Sequence, residues 1–319
     1  MVTVFAPASI GNFGLGFDIL GAAVTPIQGD PLGDRITLGP PSQGEPFTLT
    51  VTGPLADCLP ADPHENIVFR CYHAFAEALH QKNLPLKPLT MQLHKGLPVG
   101  SGLGSSACSV VAALVALNAY HGEPLGQGEL LPMMGRLEGS VSGSVHYDNV
   151  VPCYLGGLRL LLDQTGGASR ALPFFDQWLL LLAYPGVRIA TARARAILPD
   201  HYSRAALIEH GRQLATFVHA LHSRRPHLAA GVIRDVVAEP YRQSLIPGFE
   251  HTKRSLLQKG ALACGISGSG STIFAVVDDP DLARELDSDL QRNFFHNERA
   301  FSRICRLDQR GARLIGADS

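Results

Sequence analysis

Apolar and polar residues alternate at period two in Asp34–Leu38, Phe47–Val51 and Leu89–His94, and more briefly in Val2–Phe5, so all four read as strands. Helical spacing follows in other stretches. Asp62 suits an N-cap, Pro63 a first turn and Glu65 a capping box, ahead of a stripe formed by Val68, Tyr72, Phe75, Ala76 and Leu79. Leu130, Leu131, Met134 and Leu137 predict a helix that ends near Glu138-Gly139. One segment follows neither rule: Val110, Val111, Ala113, Leu114, Val115 and Leu117 are apolar on nearly every side of a helix, which predicts burial all round. After Gly156-Gly157 the pattern changes. Leu158–Leu162, Trp178–Tyr184, Ile273–Val277 and Ile304–Leu307 read as strands. Ala206–His222, Leu228–Val237, Phe249–Lys259 and a helix capped by Asp279-Pro280, with Leu282, Leu286 and Leu290 as its stripe, read as helices. This order predicts an α+β fold with helices layered on a sheet and two domains, 1–157 and 158–319.

Composition narrows the class. A chain of 319 residues exceeds what one core of roughly 150 residues organises, which supports two domains. Charged residues make up only 17% and the net charge is −1, so nothing favours nucleic acid or an anionic membrane as partner. The start, MVTVFAPASIG, lacks a basic stretch followed by an apolar one, so no signal peptide is expected. Apolar runs such as Val110–Leu117 fall short of the ~20 residues a spanning helix needs. The six cysteines are scattered without a C-x-x-C pair; Cys108 and Cys264 read as small core residues, and a reducing cytoplasm is the expected compartment.

Candidate chemistry centres on Gly96–Tyr120. Gly96, Gly100, Gly102 and Gly104, with Pro98, Ser101, Ser105 and Ser106, make a side-chain-poor loop running into the buried helix. Helix-start N–H groups attract anions, and glycines let a phosphate approach them. The competing reading is a Gly/Ser cap on a core helix. A Walker-type loop is excluded because the chain has no Gly-Lys pair, and a dinucleotide fingerprint because Ser105 stands where its third glycine belongs. A second glycine-rich stretch, Ala6–Asp18, frames Asn12 and Asp18 with Gly11, Gly14 and Gly16, as a turn or as a substrate loop. A third, Gly265–Thr272, lies between a helix and a strand. A carboxylate beside a phosphate loop would be a natural Mg²⁺ ligand, but the sequence alone does not place Glu138 there. Arg193 and Arg195, near Thr191, read as solvated surface residues, whereas Arg242, next to Pro240 and Tyr241 in a low-charge chain, is the better candidate carboxylate binder.

Taken together, PASIGNFGLGFDILG, GLPVGSGLGSSACSVVAAL and GISGSGS resemble, in order and spacing, the three motifs of the GHMP small-molecule kinases. HYDNVVPCYLGG, TARARAILP and AEPYR extend the likeness over nearly the whole chain, most closely to the enterobacterial form of the branch that acts on homoserine. The resemblance implies an N-terminal domain like domain 2 of ribosomal protein S5, with a left-handed βαβ unit against the usual crossover rule, and a ferredoxin-like C-terminal domain. It implies ATP-dependent phosphorylation of the side-chain hydroxyl of L-homoserine, in threonine biosynthesis, with Mg²⁺, by a cytoplasmic homodimer. It implies that Pro98, Val99, Gly100, Ser101, Gly102, Leu103, Gly104, Ser105, Ser106, Ala107 and Cys108 hold the nucleotide, and that Ser106 and Glu138 hold the metal. Asn12 would lie by the reacting hydroxyl and Thr191 by the phosphoryl path. Asp18 would take the ammonium, and Arg195 and Arg242 the carboxylate, with His146 and Asp148 lining the pocket. Gly265 and Gly268 would let the third motif approach the substrate. Ile10, Gly11 and Ser271 depart from the motifs' usual Ser, Ala and Pro. In several relatives a buried Asp–Lys pair activates the hydroxyl. No such pair is evident in this sequence, so the expected catalysis is by alignment and charge stabilisation.

Overall fold

The structure, a computed structural model, describes residues 1–41, 45–60, 62–163 and 168–316. In chain order its elements are β1 (Val2–Gly11), β2 (Leu20–Pro26), β3 (Gly33–Gly39), β4 (Phe47–Thr52), α1 (Ile67–Gln81), β5 (Leu89–His94), α2 (Ser105–Tyr120), α3 (Gln127–Ser142) and α4 (Val150–Leu155). There follow β6 (Leu158–Leu161), β7 (Ser169–Leu172), β8 (Leu179–Tyr184), α5 (Thr191–Ala196), α6 (Arg204–His222), α7 (Pro226–Gly231), α8 (Glu239–Arg242), α9 (Phe249–Gln258), β9 (Ala263–Ile266), β10 (Ile273–Val277), α10 (Pro280–Asn293), β11 (Phe301–Leu307) and β12 (Arg313–Ile315). The fold is α+β, and strand β1 is its hinge piece. Val2–Pro7 pair antiparallel with β3, while Ala8–Gly11 pair with β2. Strands β4 and β5 are parallel and joined through α1, a βαβ unit. On the other side β2 pairs β11, which leads through β8 to β10 and β9. Hydrogen bonding thus runs unbroken from the first strands to the last ones.

Helix α2 is the core of the N-terminal half. Val110, Val111, Ala113, Leu114 and Leu117 are fully buried, as an all-round apolar helix requires. A second core lies between β8–β10 and helices α9 and α10, with Leu181, Val277, Leu256, Leu286 and Phe294 buried there. All six cysteines are free thiols, and Cys108 and Cys264 are buried core residues. No described helix is long and apolar enough to cross a membrane.

Three helix predictions need correction. Asp62 caps only a short 3-10 turn, accepting from the His64 amide, and the capping box to Glu65 does not form; Asn66 is the N-cap of α1 and accepts from Val68. Helix α3 does not stop at Glu138-Gly139 but continues to Ser142, because the left-handed residue that ends it is Gly143, φ 88°. The predicted helix over 228–237 ends at Gly231. Asp235 accepts from the amides of Val237, Ala238 and Glu239, and so draws the backbone out of the helix.

Candidate active site

The first glycine motif is strand as far as Gly11 and then turns sharply. Asn12, Phe13 and Asp18 all take positive φ, at 66°, 44° and 56°. Asn and Asp tolerate that region; Phe does not, and its fully buried ring stacks on Phe274 at 5.2 Å. The Asn12 side-chain oxygen closes the turn by accepting from the Asp18 amide at 2.9 Å.

The three motifs are stitched to one another through backbone. The Gly268 amide donates to the Gly11 carbonyl (3.0 Å), the Thr272 amide to that of Ser101 (2.9 Å), and the Ser9 amide to that of Leu103 (3.1 Å). Ser267 Oγ donates to the Gly102 carbonyl at 2.7 Å. Gly102 is glycine for this reason: a Cβ there would collide with the carbonyl oxygens of Ser267 and Gly270. The departures from the motifs are accommodated. A Cβ at position 11 would meet the side chains of Asp148 and Asn149, Ile10 is a core residue, and the Ser271 hydroxyl donates to the Val187 carbonyl.

Between the motifs lies a cavity of about 210 Å³. Asn12, Asp18, Glu138, His146, Asp148, Thr191, Arg195, Arg242 and Gly268 line it, together with Val99–Gly102 and Gly104–Ser106. Five predicted site residues do not. Leu103, Ala107 and Cys108 point into the core, and the Cys108 thiol donates to the Ala6 carbonyl. Pro98 offers its carbonyl to Ser101 Oγ, and Gly265 is glycine because a Cβ would press on the Phe274 ring. Three polar cavity residues were not anticipated. Asn149 accepts from Ser9 Oγ, Ser269 lies 3.5 Å from Thr191 Oγ1, and Arg188 lies over Gly100. No sequence signal marked Arg188: it is brought to the loop by the Ile189 amide, which donates to the Gly100 carbonyl.

The two ends of the cavity differ in chemistry. At one end α2 begins. Its N-cap, Gly104, has no side chain to occupy the first-turn amides, so the helix start is left for an anion. Ser106 Oγ is buried there without a hydrogen-bond partner. At the other end Arg195 grips Asp18 with two hydrogen bonds, at 2.8 and 3.0 Å. The cation that meets Asp18 is thus a side chain of the protein itself. Burial opposes the Arg195 charge, but the Asp18 carboxylate outweighs it and raises the pKa. Arg242 is buried, which lowers its pKa; its guanidinium plane is set by hydrogen bonds to the carbonyls of Ala194 (3.0 Å) and Gly268 (2.8 Å). Both guanidinium groups stand over the Phe17 ring, at 5.5 and 5.3 Å. His146 sits between Asp148 (3.2 Å) and Glu138 (3.7 Å). Burial alone would lower its pKa, but Asp148 and then Glu138 overcome this and raise it to about 9.

A divalent metal fits this arrangement in part. Among the described residues no three His, Cys, Asp or Glu side chains form a ready-made cluster. Mg²⁺ in phosphoryl-transfer sites needs only one or two protein oxygens, with phosphate and water supplying the rest. The orphaned Ser106 Oγ and the Glu138 carboxylate line the same cavity and meet that requirement.

The sequence reading missed an Asp–Lys pair. Lys95 Nζ and Asp34 Oδ2 lie 2.5 Å apart, 1% and 0% exposed. Neither lines the cavity; Lys95 Nζ donates instead to the Ser105 carbonyl at the start of α2.

Comparison with known proteins follows this geometry. A family profile described as GHMP kinases N terminal domain matches residues 66–157, and one described as GHMP kinases C terminal matches residues 217–297. The structure is similar to that of homoserine kinase from Cytophaga hutchinsonii, with 31% identity and a TM-score of 0.86 over 98% of this chain and 97% of the other. A putative homoserine kinase from Listeria monocytogenes superposes with a TM-score of 0.71 at 21% identity, over 99% of this chain and 100% of the other. A mevalonate kinase from Methanococcus jannaschii gives 0.70 at 14%, over 96% and 98%, so the fold alone does not select a substrate. With both profiles matched and a relative at 31% identity along nearly its full length, the chain belongs to the GHMP kinases, a family of phosphotransferases.

Proposed function

We propose that the protein transfers the γ-phosphoryl group of ATP to the side-chain hydroxyl of L-homoserine, giving ADP and O-phospho-L-homoserine in threonine biosynthesis. The carrying observation is the pair of opposite charges, Asp18 against Arg195 and Arg242, across a cavity from an uncapped helix start. An amino acid presents an ammonium and a carboxylate, and these are their complements. Mevalonate and sugars lack the ammonium. The homoserine kinase of C. hutchinsonii at 31% identity supports the same choice.

In this reading Val99–Gly102 and Gly104–Ser106 wrap the triphosphate, and the α2 amides take up charge that develops on it. Arg188 adds a cation over Gly100. Ser106 and Glu138 hold Mg²⁺, which when bound neutralises phosphate charge. Arg242, rigid in its plane, takes the carboxylate, and Asp18 shares itself between Arg195 and the incoming ammonium. Asn12 and Thr191 flank the path between hydroxyl and phosphate. Each carboxylate of the cavity already faces a cation: Asp18 has Arg195, and Asp148 and Glu138 have His146. This supports catalysis by alignment, with no side chain serving as a strong base. We place the domain boundary at Gly156-Gly157 and expect a cytoplasmic homodimer.

A coupled assay of ADP release decides the substrate. L-homoserine should support turnover with Mg²⁺, whereas mevalonate and galactose should not. ATP binding without ADP release on adding homoserine would favour a nucleotide sensor instead.

A further inference from the structure

The Asp34–Lys95 pair is buried, and the hydroxyl chemistry proposed above makes no use of it. Its hydrogen bonds have a pattern. Asp34 Oδ1 accepts from the amides of Gly96 (3.0 Å) and Leu97 (3.2 Å), the residues that enter the phosphate loop. Lys95 Nζ donates to the Ser105 carbonyl (3.1 Å) and to Ser109 Oγ (3.0 Å), on the first turns of α2, where the loop ends. Asp34 Oδ2 closes the circuit by accepting from Lys95 Nζ and Ser109 Oγ, both at 2.5 Å. All three ammonium protons and both carboxylate oxygens are used, and no water is needed to complete them. Ser105 Oγ adds a direct tie to the Leu97 carbonyl, at 3.2 Å.

A buried ion pair does little for stability by itself, because desolvation offsets much of the attraction. What this one does is geometric. One carboxylate holds the loop's entry, its partner ammonium holds the loop's exit, and the pair fixes the span between them. The loop between is rich in glycine and would otherwise be the most adaptable stretch near the cavity. The geometry points to Asp34 and Lys95, bridged by Ser109, as positioning residues that set the phosphate loop against the start of α2 for nucleotide binding. The inference rests on the proposal that this loop takes the triphosphate.

The test uses the full-length protein. Asp34→Asn alone would strand a buried lysine, so it is combined with Lys95→Met. The new Asn oxygen still accepts from Gly96 and Leu97 and its Nδ2 can still meet Ser109 Oγ, while the charged tie from Lys95 to the Ser105 carbonyl and Ser109 on α2 is lost. Ser109→Ala is the mild variant and leaves the ion pair in place. ATP affinity is measured by calorimetry with no acceptor present, then KM for ATP and for homoserine, with a thermal melt for each variant. The double variant should melt cooperatively and weaken ATP roughly 10-fold in both Kd and KM, with KM for homoserine changed less than about twofold. Ser109→Ala should weaken ATP roughly threefold in the same direction. A folded double variant with wild-type ATP affinity overturns the inference and leaves the pair a core contact. If the double variant does not fold, Ser109→Ala decides, and unchanged affinity there overturns it equally. Wild-type protein that fails to bind ATP would instead refute the kinase reading. ATP binding without homoserine turnover would refute only the proposed activity.

Discussion

Two aspartates of this protein each hold a basic side chain, and the two pairs differ in almost every respect. Asp34 and Lys95 are sealed, 0% and 1% exposed, with every hydrogen-bonding site of the two head groups used. Asp18 and Arg195 face the cavity, about a third exposed at 33% and 30%, and Arg195 Nε is buried without a partner. The first pair has no capacity left for a ligand; it can only hold. The second is strong in geometry but open on one side, which suits the amino-acid substrate proposed above. Completeness of hydrogen bonding, more than the presence of an ion pair, separates a strut from a receptor.

The contrast is broken most forcefully at the sealed pair. Asp34→Ala leaves the Lys95 charge uncompensated and should cost about 3–5 kcal/mol in urea denaturation. A loss within the range of a surface substitution would show that the ammonium finds water. At the open end, Arg242→Lys keeps the charge but loses the planar contacts to Ala194 and Gly268, and should raise KM for homoserine ~100-fold with KM for ATP nearly unchanged. Equal loss for both substrates would mean that Arg242 supports the third motif and not the carboxylate.

The pH dependence of the metal-free protein follows from His146. Its folded pKa, raised to about 9, lies above the usual value of 6.5. Its contribution is therefore complete below pH 6.5 and is lost as pH rises through 9. The unfolding free energy should fall across that window, by on the order of 2 kcal/mol, and His146→Gln should flatten the slope. An unchanged slope in the variant would assign the effect elsewhere. Asp18→Asn should raise the homoserine KM about 10-fold, while stability falls by less than about 1 kcal/mol because the pair is screened by solvent. The smallest effect is expected at Arg188, which is exposed. Arg188→Ala should raise KM for ATP roughly threefold and reduce its salt dependence. A change in homoserine KM instead would move Arg188 to the other end of the cavity.

Much of this was legible in the chain. The period-two pattern of Leu89–His94 coincides with β5, which buries one side of a sheet, and the apolar run Ile273–Val277 coincides with β10, which is buried on both faces. The all-round apolar helix after Gly104 is buried as expected. Local capping was harder. Asp62, Pro63 and Glu65 carry an N-cap signature, but Asn66 competes for the same turn and wins. The strand β2 was hidden because Leu20–Pro26 follows directly on a glycine-rich turn and carries no polar alternation; both its faces are covered. At the site, Asn12, Asp18, Val99–Gly102, Gly104–Ser106, Gly268 and Ser269 come from motifs that announce themselves by glycine. Asn149 and Arg188 carry no such signal, since each matters only through a neighbour far along the chain.

Sequence by itself determined the element types, the buried helix, the three glycine motifs and the chemical kinds of residue near them, because hydrophobic period and backbone freedom are local properties. Tertiary structure alone decided who meets whom. Asp18 found Arg195, 177 positions away, and Asp34 found Lys95, 61 positions away. Gly102 proved to be glycine to admit the backbone of the third motif. Pairings of that kind depend on how β1 is shared between strand partners on both sides, and no window along the chain contains that information.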